Sequence, residues 1–253
     1  MGCCCSSEQA LLSKEKLKLH EVSLIVNAPG TVEEKLKQCL HILSAQGSDA
    51  LVAATTLEQL ATICGSHANR APAVKLGALP ATLKAMKEHA LNSELQHWGC
   101  AVVCMAAKGV DTKGFERKEL AADEGAIETV IAALRAHQQD DRLVIIGCAA
   151  LANIVVGDDA MSLQRAEQAA ELGAIELTVA LLKAHASSHG LQYYGRSLLS
   201  RLCRVTSGRD PDAKAALARN SGAKEEWLDE QPPVDTRMRP LMDPWQCSIR
   251  VSG

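Results

Sequence analysis

The first residues of the chain combine two residue types that accept lipids. The sequence begins Met-Gly-Cys-Cys-Cys-Ser, which fits the N-myristoylation pattern with Gly2 as the acceptor. One myristoyl chain binds a membrane only marginally, so a durable anchor needs a second lipid. Cys3, Cys4 and Cys5 can supply it as palmitoyl thioesters. The pattern predicts an acylation signal over residues 1–7 and a membrane surface as a partner, with an unmodified N-terminus or a metal-binding cysteine cluster as alternatives.

A second set of possible ligands falls on one predicted helix. His97, Cys100 and Cys104 share a helical face, and imidazole and thiolate groups are ligands of zinc. A structural zinc site would also need a fourth ligand at a recognisable spacing. In the neighbouring sequence repeats described below, Cys148 and Arg196 replace Cys100, as expected of a packing position. We therefore predict buried free cysteines and no metal site.

Other chemistry is not indicated by the sequence. It contains no nucleophile elbow, phosphate-binding loop, HExxH pair or dinucleotide fingerprint, so we predict a non-enzymatic protein with no catalytic residues and no cofactor. The net charge of -3 lacks the basic excess of nucleic-acid binders, so no nucleic acid is expected as a partner. Scattered cysteines and the lack of a secretory segment favour the cytoplasm. The longest apolar run, residues 143–156, is shorter than the roughly 20 residues that a membrane span needs.

The sequence repeats itself every 48 residues. Gly77, Gly125 and Gly173 each precede an alanine and are 48 positions apart. Three further series share this spacing: His89, His137 and His185; Leu95, Leu143 and Leu191; and Gly99, Gly147 and Gly195. A fixed period of about 20 to 50 residues is typical of solenoid proteins. The repeat therefore determines the predicted fold.

Each repeat unit is predicted to contain three helices. A short stretch that starts with arginine precedes the Gly-Ala turn, the turn opens a second helix that ends at the histidine, and a longer apolar helix follows. The candidate N-caps of this longer helix are Asn92, Asp140 and Ser188. A glycine inside the longer helix costs about 1 kcal/mol relative to alanine, and we expect the close approach of a neighbouring helix to offset that cost.

Divergent copies flank the three clear units. Thr31 and the glutamate three residues later form a candidate capping box that starts an N-terminal copy, and a Gly-Ala pair at Gly222 restarts the motif at the other end. The predicted segments are an acylation signal over 1–7, an N-terminal capping helix over 8–30, a solenoid over 31–229 and a proline-containing tail over 230–253. The clear repeats cover about 70–108, 117–157 and 165–205. The tail either docks on the solenoid or serves as a short binding motif.

These units resemble the armadillo repeat superfamily over about residues 31–229. The resemblance rests on the Gly-Ala-Ile-Glu opening and on the third helix Gly-Cys-Ala-Ala-Leu-Ala-Asn-Ile at residues 147–154. It implies an all-α, right-handed α-α superhelix of about four three-helix repeats with terminal caps, whose third helices line a concave groove for proteins or peptides. Asn153 matches the groove asparagine of the nuclear-import members, whereas Met105 and Arg201 occupy the equivalent positions. This departure argues against extended basic import signals as ligands.

A basic stripe falls on the last clear third helix. Arg196, Ser200 and Arg204 are spaced by four residues, and Arg201 lies beside them. One interpretation is a site for an acidic segment of a partner, with Arg201 and Asn153 as hydrogen-bond donors. The other is a solvated face of an end repeat. The predicted groove residues are Met105, Asn153, Arg196, Ser200, Arg201 and Arg204.

Together these patterns predict a non-catalytic scaffold or adaptor that binds a protein or peptide through its groove. Acylation would hold it on the cytoplasmic face of a membrane, and the combination resembles lipid-anchored armadillo scaffolds. The main alternative is a soluble armadillo-type subunit or assembly factor without a lipid anchor. A metal or thiol-redox protein built on the N-terminal cysteines is a third possibility.

Overall fold

Every regular element in the described part of the chain is helical. The computed structural model describes residues 20–204 and 211–228. The α-helices in these ranges are α1 (Val32–Gln46), α2 (Ala50–Gly65), α3 (His67–Lys75), α4 (Ala78–Glu88), α5 (Ser93–Ala106), α6 (Thr112–Asp123), α7 (Ala126–Ala136), α8 (Asp141–Ile154), α9 (Ala160–Glu171), α10 (Ala174–Ala184), α11 (His189–Arg204) and α12 (Pro211–Asn220). Short 3-10 helices cover Ile25–Asn27 and Glu225–Trp227. The all-α prediction is confirmed, and none of the described helices has the length and apolarity to cross a membrane.

A left-handed glycine opens the second helix of each clear unit. Gly77, Gly125 and Gly173 have φ angles of 94°, 84° and 78°, a region that residues with a side chain rarely adopt. The alanine after each of them begins α4, α7 or α10, and each helix is followed by the periodic histidine at its C-cap. Both features agree with the sequence prediction. Gly222 repeats the turn with a φ of 91°, and within the described residues a 3-10 helix follows it in place of an α-helix.

Polar side chains cap three of the helices where the sequence predicted them. The Asn92 side chain accepts a hydrogen bond from the Leu95 amide at 2.9 Å, and Asp140 accepts one from the Leu143 amide at 3.1 Å. Thr31 and the glutamate three residues later form the predicted capping box at the start of α1. These caps satisfy amides that have no partner within the helix, and so they fix where each helix begins.

The glycine inside each longer helix makes room for a side chain. A Cβ atom built on Gly99 would lie 2.5 Å from the Met86 sulfur, and one built on Gly147 would lie 2.6 Å from Leu134 Cδ2. Met86 and Leu134 belong to the second helix of the same unit. The predicted close approach therefore exists, but the atoms that fill the space come from a side chain and not from the backbone of a neighbouring helix.

The longer helices α2, α5, α8 and α11 pack on one another in chain order, and we call this arrangement the third-helix row. The second helices α4, α7 and α10 pack against α5, α8 and α11. One hydrophobic core extends from Val22 to Trp227 through all of these helices. At its N-terminal end, the described part of the predicted capping helix is helical from His20 to Ser23 and is followed by the 3-10 helix.

Candidate partner-binding surface on the third-helix row

The N-terminal part of the third-helix row carries paired charges. Arg142 at the start of α8 lies 3.4 Å from a carboxylate oxygen of Glu94 on α5, and both side chains are about half exposed. Burial and the neighbouring Glu94 raise the pKa of Glu58 on α2, while Arg142 opposes this shift. The two carboxylates and the guanidinium therefore act on one another, and this part of the row leaves no surplus of positive charge.

The C-terminal part of the row, on α11, is basic. Tyr193, Ser197, Arg201 and Arg204 follow one another at helical spacing, and they are partly or fully exposed. Arg201 Nε lies 3.5 Å from Ser197 Oγ. Burial and the nearby Arg204 lower the pKa of Arg201, although Asp158 and Tyr193 favour its charged form. We call these four residues the basic stripe.

Arg196 does not belong to the basic stripe. Its Nη2 atom donates a hydrogen bond to the backbone carbonyl of Glu226, in the 3-10 helix after α12. This contact ties the C-terminal end of the described chain to α11. Arg196 therefore has a structural role here, and it is not grouped with Arg201 as the sequence had suggested.

Three other predicted groove residues lie within the packing of the row. Met105 is 1% exposed and Ser200 is 3% exposed, so neither side chain is presented to a partner. Asn153 is half-buried, and its amide nitrogen lies 3.0 Å from the carbonyl oxygen and 3.3 Å from the sulfur of Cys104. This side chain joins α8 to α5. Of the predicted groove set, Arg201 and Arg204 remain as surface groups.

The possible zinc ligands are buried in α5. His97 is 3% exposed, and burial, followed by the charge of Arg142, lowers its pKa to about 4. Burial raises the pKa of the Cys100 thiol, and the Cys104 thiol is also buried. Among the described residues, no group of three or more potential ligands is arranged to hold a metal ion. The predicted lipid acceptors Gly2, Cys3, Cys4 and Cys5 lie outside the described residues.

The first helix of each unit begins three to five residues before the arginine that the sequence predicted as its start, and that arginine has a role that the sequence analysis missed. Arg70 Nε donates to the carbonyl of Cys64, Arg117 to that of Ala106, and Arg165 to that of Ile154. These carbonyls lie at the C-terminal end of the preceding third helix, where backbone acceptors lack partners. One sequence pattern could have indicated this role, because the three arginines recur at nearly the same spacing as the glycines.

The periodic histidines connect consecutive units. The Nε2 atom of His137 lies 2.8 Å from the carbonyl oxygen of Ala90, and that of His185 lies 2.6 Å from the carbonyl oxygen of Gln138. His89 makes the same contact with Gly47 at 2.6 Å. The sequence analysis had placed each histidine at the end of its own helix. They stand at the C-cap position, but their rings bond the turn of the preceding unit.

A buried lysine lies near the basic stripe. Lys118 on α6 is 0% exposed, and its Nζ atom donates to the carbonyl of Gly109 and lies 4.6 Å from the centre of the Phe115 ring. Burial lowers its pKa to about 8, and the charges of Arg165, Arg117 and Arg201 act in the same direction. No sequence pattern indicated this contact, because Lys118 lies in a charged stretch that resembles an exposed helix surface.

No protein-family model matches the chain, and no curated protein or solved structure shows significant similarity to it.

Proposed function

We propose that this protein is a non-catalytic scaffold that recruits a protein partner through an acidic segment. In this proposal the helices form a right-handed armadillo-like solenoid of about four three-helix units, and the third helices line its concave side. The partner lies along the C-terminal part of that side, against the basic stripe.

The observation that carries the proposal is the contrast in exposure along the third-helix row. Every residue of α5 from Leu95 to its end is buried, whereas the basic stripe on α11 places two arginines and a tyrosine at the surface. Arginine binds carboxylates through paired hydrogen bonds, and exposed tyrosine adds contact area at low entropic cost. Charge complementarity therefore favours an acidic partner.

The direct test reverses the two charges. In the purified full chain, Arg201→Glu together with Arg204→Glu should lower the affinity for a fluorescent glutamate-rich peptide by at least about tenfold, because truncated and reversed charge contacts typically cost several kcal/mol at interfaces. Fluorescence anisotropy at low salt measures this change.

The matched control reverses two exposed lysines elsewhere. Lys84 and Lys87 lie on α4, away from the row, and Lys84→Glu with Lys87→Glu changes the net charge by the same amount. This variant should retain most of the affinity. Equal losses in both double variants would mean that net charge alone attracts the peptide, and the proposed site would then be wrong.

We further propose that acylation at Gly2 and the adjacent cysteines Cys3, Cys4 and Cys5 tethers the scaffold to the cytoplasmic face of a membrane. The support is the sequence pattern, since two lipids give durable attachment where one does not. Gly2→Ala should move the protein from the membrane fraction to the soluble fraction, and mass spectrometry of the N-terminus should detect the lipids. A soluble wild-type protein without lipids would favour the alternative of an unanchored subunit or assembly factor.

A further inference from the structure

The end of the third-helix row is visible in the exposure of a repeated glutamine. Gln96 on α5 and Gln192 on α11 occupy the same repeat position, and the amide nitrogen of each donates to two carbonyls of its own unit. Gln96 is 2% exposed and lines a cavity together with residues of α7, in the next unit. Gln192 is only half-buried. The same side chain in the same contacts therefore loses its cover at the end of the row.

Two neighbouring residues of α11 show the same loss of cover. Arg196 and Ser197 are half-buried, whereas the residues at their repeat positions in α5 and α8 are buried and small. Those equivalents are Cys100, Cys148, Ala101 and Ala149. We call Gln192, Arg196 and Ser197 the open face of α11. In a stack that continued, the next unit would cover this face.

Within the described residues, the chain contains the beginning of the unit that would cover the open face. α12 and the turn at Gly222 follow α11 as α9 and the turn at Gly173 follow α8, but a 3-10 helix over Glu225–Trp227 replaces the second helix. Residues 229–253 lie outside the described residues and come next in the sequence, and we call them the C-terminal segment. They contain prolines at positions 232, 233, 240 and 244, so they cannot form a continuous helix as long as α11. The segment therefore follows the open face in chain order but cannot repeat the helices that would cover it.

The described chain ends beside the open face. Arg196 donates a hydrogen bond to the backbone carbonyl of Glu226. Leu228 follows two residues later, so the C-terminal segment starts within about 7 Å of this contact. Arg204 lies about 12 Å farther along α11 than Arg196, at about 1.5 Å per residue, and residues 229–235 can span about 23 Å when extended. The first residues of the segment can therefore reach the whole basic stripe.

We propose that the C-terminal segment packs across the open face of α11 and covers part of the basic stripe in the free protein. The regulatory part of this inference rests on the proposed function, because the partner's acidic segment must displace the C-terminal segment in order to bind. A ligand tethered to the same chain by a short linker has an effective concentration of about millimolar. The C-terminal segment therefore lowers the apparent affinity for a free acidic peptide.

The composition of the C-terminal segment suits this surface. Residues 229–235 contain three carboxylates and no cation, and carboxylates form paired hydrogen bonds with guanidinium groups. Leu241 and Trp245 supply apolar surface for the space that the missing helices leave. The charge of Asp158 acts on Arg201 and offsets part of it, so charge alone does not select this segment over other acidic ones. The short tether beside the open face makes that selection.

A photo-cross-linker in the C-terminal segment tests the contact directly. In the purified full chain, Trp245→p-benzoylphenylalanine should form cross-links within one chain that mass spectrometry maps mainly to His189–Arg204. The same group at Lys84, an exposed position on α4, is the matched control and should form none with α11. Cross-links from position 245 that spread over several helices, or that join α11 of a second copy, would overturn the inference.

Neutral variants of the C-terminal segment test the competition with the partner. Asp229→Asn, Glu230→Gln and Asp235→Asn together should raise the affinity for the fluorescent glutamate-rich peptide by at least about threefold, because the tethered competitor is weakened. Fluorescence anisotropy measures this gain. An unchanged affinity would mean that the segment leaves the basic stripe accessible, and the proposed competition would be wrong.

The matched control removes three exposed carboxylates from other parts of the molecule. Glu88→Gln, Glu124→Gln and Glu176→Gln change the net charge by the same amount, and they should raise the peptide affinity by a smaller factor. An equal gain in this variant would assign the effect to net charge and overturn the proposed competition.

The outcomes separate this inference from the proposed function. Cross-links that avoid α11, with peptide binding still lost in the Arg201→Glu and Arg204→Glu variant, would overturn the inference and leave the proposed function intact. Failure of the peptide to bind any variant would contradict the proposed function and the competition. Cross-links to His189–Arg204 would even then support the packing of the C-terminal segment on α11.

Discussion

The third helix of a central unit and the third helix at the C-terminal end use the same part of the repeat in different ways. In α5 the residues from Leu95 onward are all buried, because α2 and α8 pack on either side. In α11, Tyr193, Ser197, Arg201 and Arg204 remain accessible, and the elements that follow α11 in the described part of the chain are the short α12 and a 3-10 helix. The position in the stack therefore decides whether a side chain packs or is available for binding.

The largest predicted effect is the loss of a buried arginine in a central unit. Arg117→Met should lower the free energy of unfolding by about 3 kcal/mol, because it removes two charge-assisted hydrogen bonds and leaves two carbonyls without partners. Arg201→Met should cost less than about 1 kcal/mol, as is usual for surface positions. Urea unfolding of both variants gives the difference. Similar losses would show that α11 is as tightly integrated as the central unit.

A smaller effect on the free energy of unfolding is predicted at acidic pH. It arises from the buried imidazole of His97 on α5. His97 has a pKa of about 4 in the folded chain, against the ordinary histidine value of 6.5, so below pH 6.5 the unfolded chain binds a proton that the folded chain excludes. Stability should therefore be lost as the pH falls from 6.5 to 4, by about 2 kcal/mol at pH 5.

The variants His97→Gln and His41→Gln test this prediction. His41 is exposed on α1 and serves as the control. Unfolding at pH 7 and at pH 5 should show a weaker pH dependence for His97→Gln and an unchanged one for His41→Gln. The same pH dependence in all three proteins would assign the acid sensitivity to other groups.

The smallest predicted effect on stability concerns glycine-to-alanine substitutions at positions that differ in the space around the glycine. Gly147→Ala should destabilise by about 1–2 kcal/mol, because the steric cost of overpacking against Leu134 exceeds the helical gain of alanine. Gly195→Ala should cost less, since its new Cβ would lie 3.0 Å from the Leu182 methyl group. Gly65→Ala should be neutral or slightly stabilising, because nothing lies within 4 Å. Thermal melts rank the three, and a different order would contradict the packing argument.

Much of the local fold could be predicted from the sequence. The Gly-Ala turns, the caps at Asn92 and Asp140, and the histidine at the end of each second helix all agree with the structure. These signals act within one or two helical turns, so the residue type and its spacing suffice. The repeat period also predicted the order of the helices along the chain.

The candidate site was predicted only in part, because its composition depends on contacts between units. Met105 occupies the same repeat position as Arg201, and Ser200 lies in the same helical turn as Arg201. Packing nevertheless covers the side chains of both Met105 and Ser200. Arg196 turns toward the C-terminal 3-10 helix, and Lys118 is buried although it stands in a charged stretch. No local pattern distinguishes these cases from exposed polar residues.

The sequence by itself determined where the second and longer helices of the clear units begin, that these helices recur every 48 residues, and which chemical groups each unit contains. Only the tertiary structure decided which of those groups face a neighbouring unit and which face solvent. The reason is physical: helix caps and left-handed turns depend on adjacent residues, whereas the burial of a side chain depends on helices that lie about 48 residues away along the chain.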